Sequence, residues 1–192
     1  MKNQESDEDL MLRFRDGDAA AFDELYRRHR PGLYRYFIRQ TGSAPLAEEL
    51  YQDVWMKLIR AKDRYEVRAK FTTYLYHMAH NRLIDYYRRK SPELANSFVD
   101  EDGESLWEQM PEDATHEPDQ VVERQFKMEE LKQAIDTLPE AQKEAFLMRE
   151  EAGMSLDEIA EATGVNRETA KSRLRYAVAK LRKMLEGLEE EE

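Results

Sequence analysis

Residues 155–175 read SLDEIAEATGVNRETAKSRLR, and this stretch decides the fold of the chain. Two short helical patterns meet at Gly164, where the chain turns and where glycine tolerates a positive φ. Ile159 lies on the inner face of the first pattern, Val165 fills the joint, and Asn166 suits the N-cap of the second helix. This arrangement is typical of a helix-turn-helix, whose second helix enters the major groove of DNA. A helical hairpin with a solvated basic face is the alternative.

The second helix of this motif is strongly cationic. From Arg167 to Lys183 the chain holds seven basic residues and one acidic residue, Glu168. Arginine and lysine favour phosphates and guanine edges, whereas serine and threonine hydroxyls contact either phosphates or bases. We therefore expect DNA contacts from six side chains of the exposed face: Arg167, Thr169, Lys171, Ser172, Arg173 and Arg175.

The distribution of charge reconciles DNA binding with a net charge of −11. Residues 1–90 carry 18 basic and 14 acidic residues, and residues 91–120 carry 10 acidic residues and no lysine or arginine. Residues 121–192 carry 12 basic and 17 acidic residues. Because salt screens charges beyond about 8–10 Å, DNA responds to local basic patches and not to the net charge. Two basic patches separated by an acidic segment are therefore compatible with DNA binding.

Composition excludes several classes of function. The 192 residues suffice for one or two domains. No cysteine is present, which rules out disulfides, thiolate metal sites and a cysteine nucleophile. No apolar run approaches the length of a membrane span, and the first residues do not resemble a signal peptide. We expect a cytoplasmic protein without membrane insertion; the leading interpretation developed below requires no cofactor, metal or small-molecule substrate.

Hydrophobic periodicity predicts an all-α fold of two small helical domains, at residues 1–90 and 121–188. Residues 91–120 break every period and are expected to form an extended or disordered acidic linker, and residues 189–192 an acidic tail. Pro31 is expected to kink or restart a helix. The clearest helical patterns cover about 44–60 and 71–89 in the first domain, and about 121–137, 139–152, 155–163 and 166–187 in the second.

A second candidate for nucleic-acid binding is residues 70–90, KFTTYLYHMAHNRLIDYYRRK. Tyrosines alternate there with cations, a pattern suited to single-stranded nucleic acid because bases stack on rings while cations hold phosphates. The alternative is that several tyrosines belong to the core and that the charges are a solvated surface. Side chains spaced by three and four residues form one polar face: Tyr74, His77, Asn81, Asp85 and Arg88.

The order of these motifs resembles the extracytoplasmic-function, or group IV, sigma factors of bacterial RNA polymerase. The resemblance runs from Asp7 to Leu185. In sigma region 2 it rests on DLMLRFRDGDAAAFDELY at 9–26, AEELYQDVWMKL at 47–58 and FTTYLYHMAHNRLIDYYRRK at 71–90. In sigma region 4 it rests on LPEAQKEAFLMREEAGMSLDEIA at 138–160 and TAKSRLRYA at 169–177.

The resemblance implies functional roles for named residues. Polymerase binding would involve Glu49, Gln52, Asp53 and Trp55. Recognition and melting of the promoter −10 element would involve Arg64, Tyr65, Tyr74, His77, Asn81, Arg82, Arg88, Arg89 and Lys90. The six helix-turn-helix residues named above would contact the −35 duplex. The implied partners are the core polymerase, through its beta-prime clamp coiled coil and beta flap, promoter DNA and an anti-sigma factor, and the chain itself would not be an enzyme.

The family also implies that the acidic linker threads the polymerase, with Phe98, Leu106 and Trp107 as anchors. A flexible tether is the alternative. Two other functions stay open. A stand-alone helix-turn-helix regulator would bind duplex DNA without polymerase, usually as a dimer on a palindrome. A metal enzyme would use His77 and His80, which are three residues apart on a helix.

Overall fold

A computed structural model of the protein describes residues 5–96, 98 and 128–189. Every regular element in these ranges is helical, as the periodicity predicts. The N-terminal unit comprises α1 (Asp7–Arg15), α2 (Ala19–Thr41), α3 (Ala44–Ala61), a 3₁₀ turn (Lys62–Arg64), α4 (Phe71–Lys90) and α5 (Pro92–Asn96). The C-terminal unit comprises α6 (Met128–Asp136), α7 (Glu140–Ala152), α8 (Leu156–Thr163) and α9 (Arg167–Glu189). None of these helices is long and apolar enough to cross a membrane.

Helix α2 continues through Pro31, so the chain does not restart a helix there. Asp18 caps its start by accepting hydrogen bonds from the backbone N–H groups of residues 20 and 21, and Gly42 ends it with a φ of 65°. A proline inside a helix costs about 3 kcal/mol or more. Leu25 and Leu33, on either side of Pro31, are both fully buried. Packing of the flanking turns therefore offsets the lost backbone hydrogen bond.

The core of the N-terminal unit is built from the apolar faces of α1 to α4. Leucines from three helices are fully buried, among them Leu50, Leu58 and Leu75. Trp55 is 4 % exposed and packs edge-on against Phe22, with a ring-centroid distance of 5.9 Å. This core fixes α3 and α4 side by side, so their outward faces form adjoining surfaces.

The start of the predicted linker is ordered. Residues 92–96, expected to be extended, instead form α5, because proline is well tolerated in the first turn of a helix. Phe98 is 3 % exposed and stacks on Tyr87, with a ring-centroid distance of 5.8 Å. The other predicted anchors, Leu106 and Trp107, lie outside the described residues, as does most of the linker.

The C-terminal unit contains the predicted helix-turn-helix. Ser155 and Glu158 form a reciprocal capping box at the start of α8, and Gly164 ends α8 with a φ of 71°. Asn166 then caps α9, because its Oδ1 accepts a 2.7 Å hydrogen bond from the backbone N–H of Thr169. The positive φ at the glycine and the asparagine cap are both confirmed.

The two units pack directly against each other. Helix α7 lies on α2, and α8 lies on α4. At Gly32 the helices approach so closely that an added Cβ would be 2.7 Å from the backbone oxygen of Glu151. Sequence periodicity identifies both units as helical but does not predict this interface.

Candidate functional site

Helix α4 and the segment before it form the first candidate surface. Arg64 is exposed at the end of the 3₁₀ turn, whereas Tyr65 is only 3 % exposed. The Tyr65 ring packs edge-on against Tyr74, with a centroid distance of 5.2 Å. Burial raises the pKa of Tyr65 to about 12, with a further contribution from the Glu8 carboxylate. Tyr65 is thus a neutral phenol at physiological pH and forms one wall of a cavity.

This cavity lies between the N-terminal unit and α8 and has a volume of about 340 Å³. Its walls combine aromatic rings, cations and two carboxylates, one of which comes from the C-terminal unit. The lining residues are Arg64, Tyr65, Glu66, Arg68, Ala69, Thr73, Tyr74, His77 and Glu161. The structure therefore brings four of the predicted −10 residues together around one concavity.

His77 and Asn81 continue this surface one turn further along α4. The backbone oxygen of Ala162 lies 3.0 Å from His77 Nδ1, and Asn81 Nδ2 lies 3.0 Å from His77 Nε2. A carbonyl oxygen only accepts, so a proton on Nδ1 satisfies both contacts and leaves Nε2 to accept from Asn81. His77 therefore joins the two units through a backbone oxygen of α8.

Arg82 connects the α4 surface to the neighbouring face of α3. Its Nε donates a 2.7 Å hydrogen bond to Asp53, and its second terminal nitrogen lies 3.3 Å from Glu49. The Arg82 side chain is 20 % exposed, whereas the side chains of Glu49 and Asp53 are 61 % and 47 % exposed. One predicted DNA contact thus pairs with two predicted polymerase contacts.

The remaining predicted residues of α3 lie in different surroundings. Gln52 is exposed and donates a 2.7 Å hydrogen bond to Glu48. Trp55 belongs to the aromatic core described above, so it can support the α3 surface from beneath and does not present its ring outward. Glu49, Gln52 and Asp53 therefore share an accessible face of α3, whereas Trp55 lies beneath that face.

The end of α4 carries three cations of the predicted −10 set. Arg88, Arg89 and Lys90 are all exposed in the last turn. Arg88 lies 3.9 Å from Asp85 one turn earlier. Cations at a helix C-terminus complement the helix dipole, so this cluster also stabilises α4.

Helix α9, the second helix of the helix-turn-helix, has an accessible start and a buried middle. Arg167 and Lys171 are exposed, Arg167 pairing with Asp157 at 3.2 Å, and Thr169, Ser172 and Arg175 are partly exposed. Arg173 is only 6 % exposed, and its guanidinium donates a 3.1 Å hydrogen bond to the backbone oxygen of Phe98. In this arrangement five of the six predicted −35 residues reach the surface, and Arg173 faces the N-terminal unit.

A buried polar cluster at the interface was not predicted. Glu144 of α7 is fully buried, and its Oε1 accepts a 2.7 Å hydrogen bond from the Tyr36 hydroxyl. The same oxygen lies 2.8 Å from His80 Nδ1. Burial alone would lower the pKa of His80, but the adjacent Glu144 carboxylate raises it above the usual value. The sequence does contain a signal for this cluster: Glu144 is a charged residue within the apolar stripe of α7, between Ala141 and Met148.

A second unpredicted cluster surrounds Glu151, whose side chain is 5 % exposed. Arg35 Nε donates a 2.6 Å hydrogen bond to Glu151, and Arg39 pairs with the other oxygen. Nearby, Gln40 Nε2 donates a 2.8 Å hydrogen bond to the carboxylate of Glu140. Polar side chains of α2 therefore hold both ends of α7.

The histidine pair considered for a metal site does not form one. His77 contacts a backbone oxygen, whereas His80 pairs with Glu144. In the ranges that the structure describes, no group of three potential ligands could hold a metal ion.

Comparison with known proteins agrees with this architecture. Residues 25–93 match the family Sigma-70 region 2, and residues 128–181 match Sigma-70, region 4. The chain is 34% identical over 179 residues to ECF RNA polymerase sigma factor RpoE of Cereibacter sphaeroides, covering 90% of this chain and 91% of that one. It is 30% identical over 179 residues to RNA polymerase sigma factor CarQ of Myxococcus xanthus, covering 93% and 97%.

Solved structures show the same fold. A sigma factor RpoE from Bartonella quintana, in complex with the anti-sigma factor NepR, superposes with a TM-score of 0.64 and 23% identity, covering 86% of this chain and 96% of that one. CnrH, in complex with the cytosolic domain of CnrY, gives a TM-score of 0.67 with 18% identity, covering 95% and 99%. The chain therefore belongs to the extracytoplasmic-function group of the sigma-70 family, alternative sigma factors that direct RNA polymerase to promoters.

Proposed function

We propose that the two surfaces of the N-terminal unit have separate roles in transcription initiation: α3 docks on core polymerase, and α4 captures the −10 strand. The observation that carries this proposal is the continuity of the two surfaces through Arg82. A promoter strand held on α4 would lie directly beside the docked polymerase. The chain would catalyse no bond chemistry, because its contribution is binding.

For polymerase docking we assign Glu49, Gln52 and Asp53, with Trp55 supporting them from the core. Alanine at Glu49 and Asp53 should weaken binding of core polymerase at least tenfold in a pull-down or interferometry titration. Asp63→Ala is the matched control, because this carboxylate is 80% exposed in the adjacent 3₁₀ turn. Equal effects of both changes would show that the docking face lies elsewhere.

For strand capture we assign the cavity residues together with Asn81, Arg82 and the cations that end α4. Stacking on aromatic rings is worth about 1–3 kcal/mol per base, and it is available only to unpaired bases. Binding of the open strand therefore shifts the duplex towards melting. Asn81→Ala should impair promoter opening, measured by permanganate reactivity, more than it impairs polymerase binding. Equal losses of opening and polymerase affinity would show that Asn81 has been misassigned.

For the −35 duplex we assign the recognition helix, with the N-terminal half of α9 entering the major groove. Arg167 and Lys171 are exposed there. Arg173 would join them only after the two units separate. Charge removal at either exposed residue should weaken promoter binding by the holoenzyme and reduce its salt dependence.

The proposed partners are core polymerase, through its beta-prime clamp coiled coil and beta flap, and promoter DNA. An anti-sigma factor is a third proposed partner, supported by the two structural relatives that are complexed with such proteins or with a cytosolic domain. With these partners, we place its action in the cytoplasm. Run-off transcription with purified core polymerase on a promoter library tests the whole proposal, which fails if no template supports initiation.

A further inference from the structure

Helix α4 begins without a cap of its own. Lys70 occupies the N-cap position, but its side chain makes no capping hydrogen bond, and the first turn of α4 contains no acidic residue. The first N–H groups of an α-helix have no acceptor within the helix. The start of the helix that we assign to strand capture therefore needs an acceptor from outside the helix.

Glu8 of α1 supplies this acceptor. Its Oε1 accepts a 2.6 Å hydrogen bond from the backbone N–H of Phe71, the first residue of α4. A carboxylate at the N-terminus of a helix also interacts favourably with the helix dipole. Phe71 is fully buried, so this bond forms where the helix start enters the core. Glu8 thus caps a helix that begins 63 positions later in the chain.

Two further contacts join the end of α1 to residues 62–71, the segment that leads into α4. Arg15 Nη1 donates a 3.4 Å hydrogen bond to the backbone oxygen of Tyr65. The Lys62 ammonium lies 5.3 Å from the centre of the Phe14 ring. Residues 65–70 form neither helix nor strand, so no regular backbone pairing fixes them. Helix α1 therefore contacts this segment at its first residue, at Tyr65 and at its last residue.

The turn of α1 that carries Glu8 is itself held on α2. Asp7 lies 2.8 Å from Arg28 Nη1 and 2.6 Å from His29 Nε2, and all three side chains are mostly buried. Burial alone would raise the pKa of Asp7, but hydrogen bonds with His29 and Arg28 lower it. The His29 ring also packs against Phe71, with a centroid distance of 5.1 Å. Glu8 is therefore presented to α4 from a fixed point.

We propose that Glu8 is a positioning residue for −10 recognition: by capping α4 it fixes the first turn of that helix and the adjoining Tyr65 segment in the geometry that receives the promoter strand. Glu8 is not among the residues that line the cavity, so it acts through the backbone of α4 and not on the strand itself. This inference rests on the strand-capture role proposed for α4. The cap itself involves no DNA and can be measured independently of that role.

Four variants separate the cap from other effects. Glu8→Ala removes the acceptor, whereas Glu8→Gln keeps an oxygen at the same reach and loses only the charge. Asp9→Ala is the matched control, because Asp9 is exposed in the same turn of α1 and accepts a hydrogen bond from Ser6 at the start of its own helix. Arg15→Gln removes the guanidinium that contacts Tyr65 and leaves the α4 cap unchanged.

Hydrogen exchange followed by mass spectrometry tests the cap in the free, full-length chain. In Glu8→Ala we expect faster exchange within residues 65–73 and unchanged exchange in α3. Glu8→Gln should lie between the parent and Glu8→Ala, because a hydrogen bond to a carboxylate is about twice as strong as a neutral one. Asp9→Ala should match the parent. Unchanged exchange of residues 65–73 in Glu8→Ala would overturn the capping role.

Holoenzyme then tests positioning, with fluorescein-labelled −10 strands of a promoter selected in the run-off assay as probes. Each strand is compared with copies in which one base is replaced by an abasic site, and the ratio of affinities reports how well that base is held. If Glu8→Ala keeps the productive geometry in about one chain in ten, affinity for the intact strand falls about tenfold. A strand without the captured base should lose less, so the ratio falls. Affinity for core polymerase should not change.

A purely structural role for Glu8 predicts a different pattern. Affinities for polymerase, the intact strand and the abasic strand would then fall together, without a change in the ratio. That result, or a Glu8→Gln protein no better than Glu8→Ala, would overturn the positioning role. If Glu8→Ala does not fold, Arg15→Gln provides the test, because it should lower the same ratio through Tyr65. Failure of every template in the run-off assay would overturn strand capture and positioning together, whereas hydrogen exchange would still report on the cap.

Discussion

Replacement of Glu144 gives the sharpest test of the interface, because one of its carboxylate oxygens contacts two side chains of the N-terminal unit, Tyr36 and His80. Glu144→Gln keeps an oxygen that can accept from the Tyr36 hydroxyl, but it removes the negative charge beside His80. Hydrogen bonds to charged groups contribute about 1.5–3 kcal/mol, so we expect a loss of about 2 kcal/mol in the free energy of unfolding. For a chain of this size that corresponds to about 4–8 °C in Tm. Glu144→Ala leaves the Tyr36 hydroxyl unpaired as well and should cost about 3–5 kcal/mol.

The loss in Glu144→Gln should depend on pH with a defined sign. In the folded protein Glu144 raises the pKa of His80, in spite of burial and the nearby Arg173 cation. A raised folded-state pKa gives stability that is complete below the unfolded value of about 6.5 and disappears as the pH rises through the folded value. Tyr36 stays neutral throughout, because burial and Glu144 raise its pKa well above the usual value.

Urea denaturation followed by circular dichroism, at about pH 6 and about pH 8.5, measures this difference. The gap between the parent and Glu144→Gln should be larger at the lower pH. Asp136→Asn, at an exposed position of α6, serves as the control and should leave the midpoint unchanged. A gap of the same size at both pH values would refute the charge pairing between Glu144 and His80.

Three further changes test the second unit. Leu147→Ala removes a fully buried side chain and should lower the urea-derived stability by about 2–5 kcal/mol. Asn166→Ala removes the cap on the Thr169 backbone N–H and should cost about 1 kcal/mol in the same assay, whereas Asn166→Asp should retain most of it. Gly164→Ala forces a φ of 71° on a residue with a Cβ and should lower Tm in calorimetry, by about 1–2 kcal/mol in free energy.

Local sequence features predicted the helices well. Helices expected at about 44–60 and 155–163 are observed at Ala44–Ala61 and Leu156–Thr163. Their boundaries follow from caps and turn residues such as Gly164, whose effects act over three or four residues. The helix restart considered at Pro31 does not occur, because packing on both sides of the proline outweighs its local preference.

The interface could not be predicted in the same way. In the sequence, Gly32 is a single glycine within a helical pattern. Only the structure shows why a side chain would not fit there, because the backbone of Glu151 packs against it. Arg173 belongs to the cationic run of α9, yet helical periodicity does not distinguish the side that meets DNA from the side that meets another helix. Contacts between residues about a hundred positions apart depend on tertiary packing, which a single sequence does not specify.

The pairing of Arg82 with Asp53 and Glu49 has a consequence for the order of assembly. One guanidinium cannot fully neutralise two carboxylates and a DNA phosphate at the same time. If polymerase binds the carboxylates of Glu49 and Asp53, Arg82 loses these ion pairs. Its guanidinium can then pair with a phosphate of the promoter strand on α4. Coupling between binding sites is reciprocal, so DNA held on α4 should in turn tighten the grip of α3 on polymerase. Through Arg82, binding of polymerase would then increase the affinity for the promoter strand, and binding of the strand would increase the affinity for polymerase.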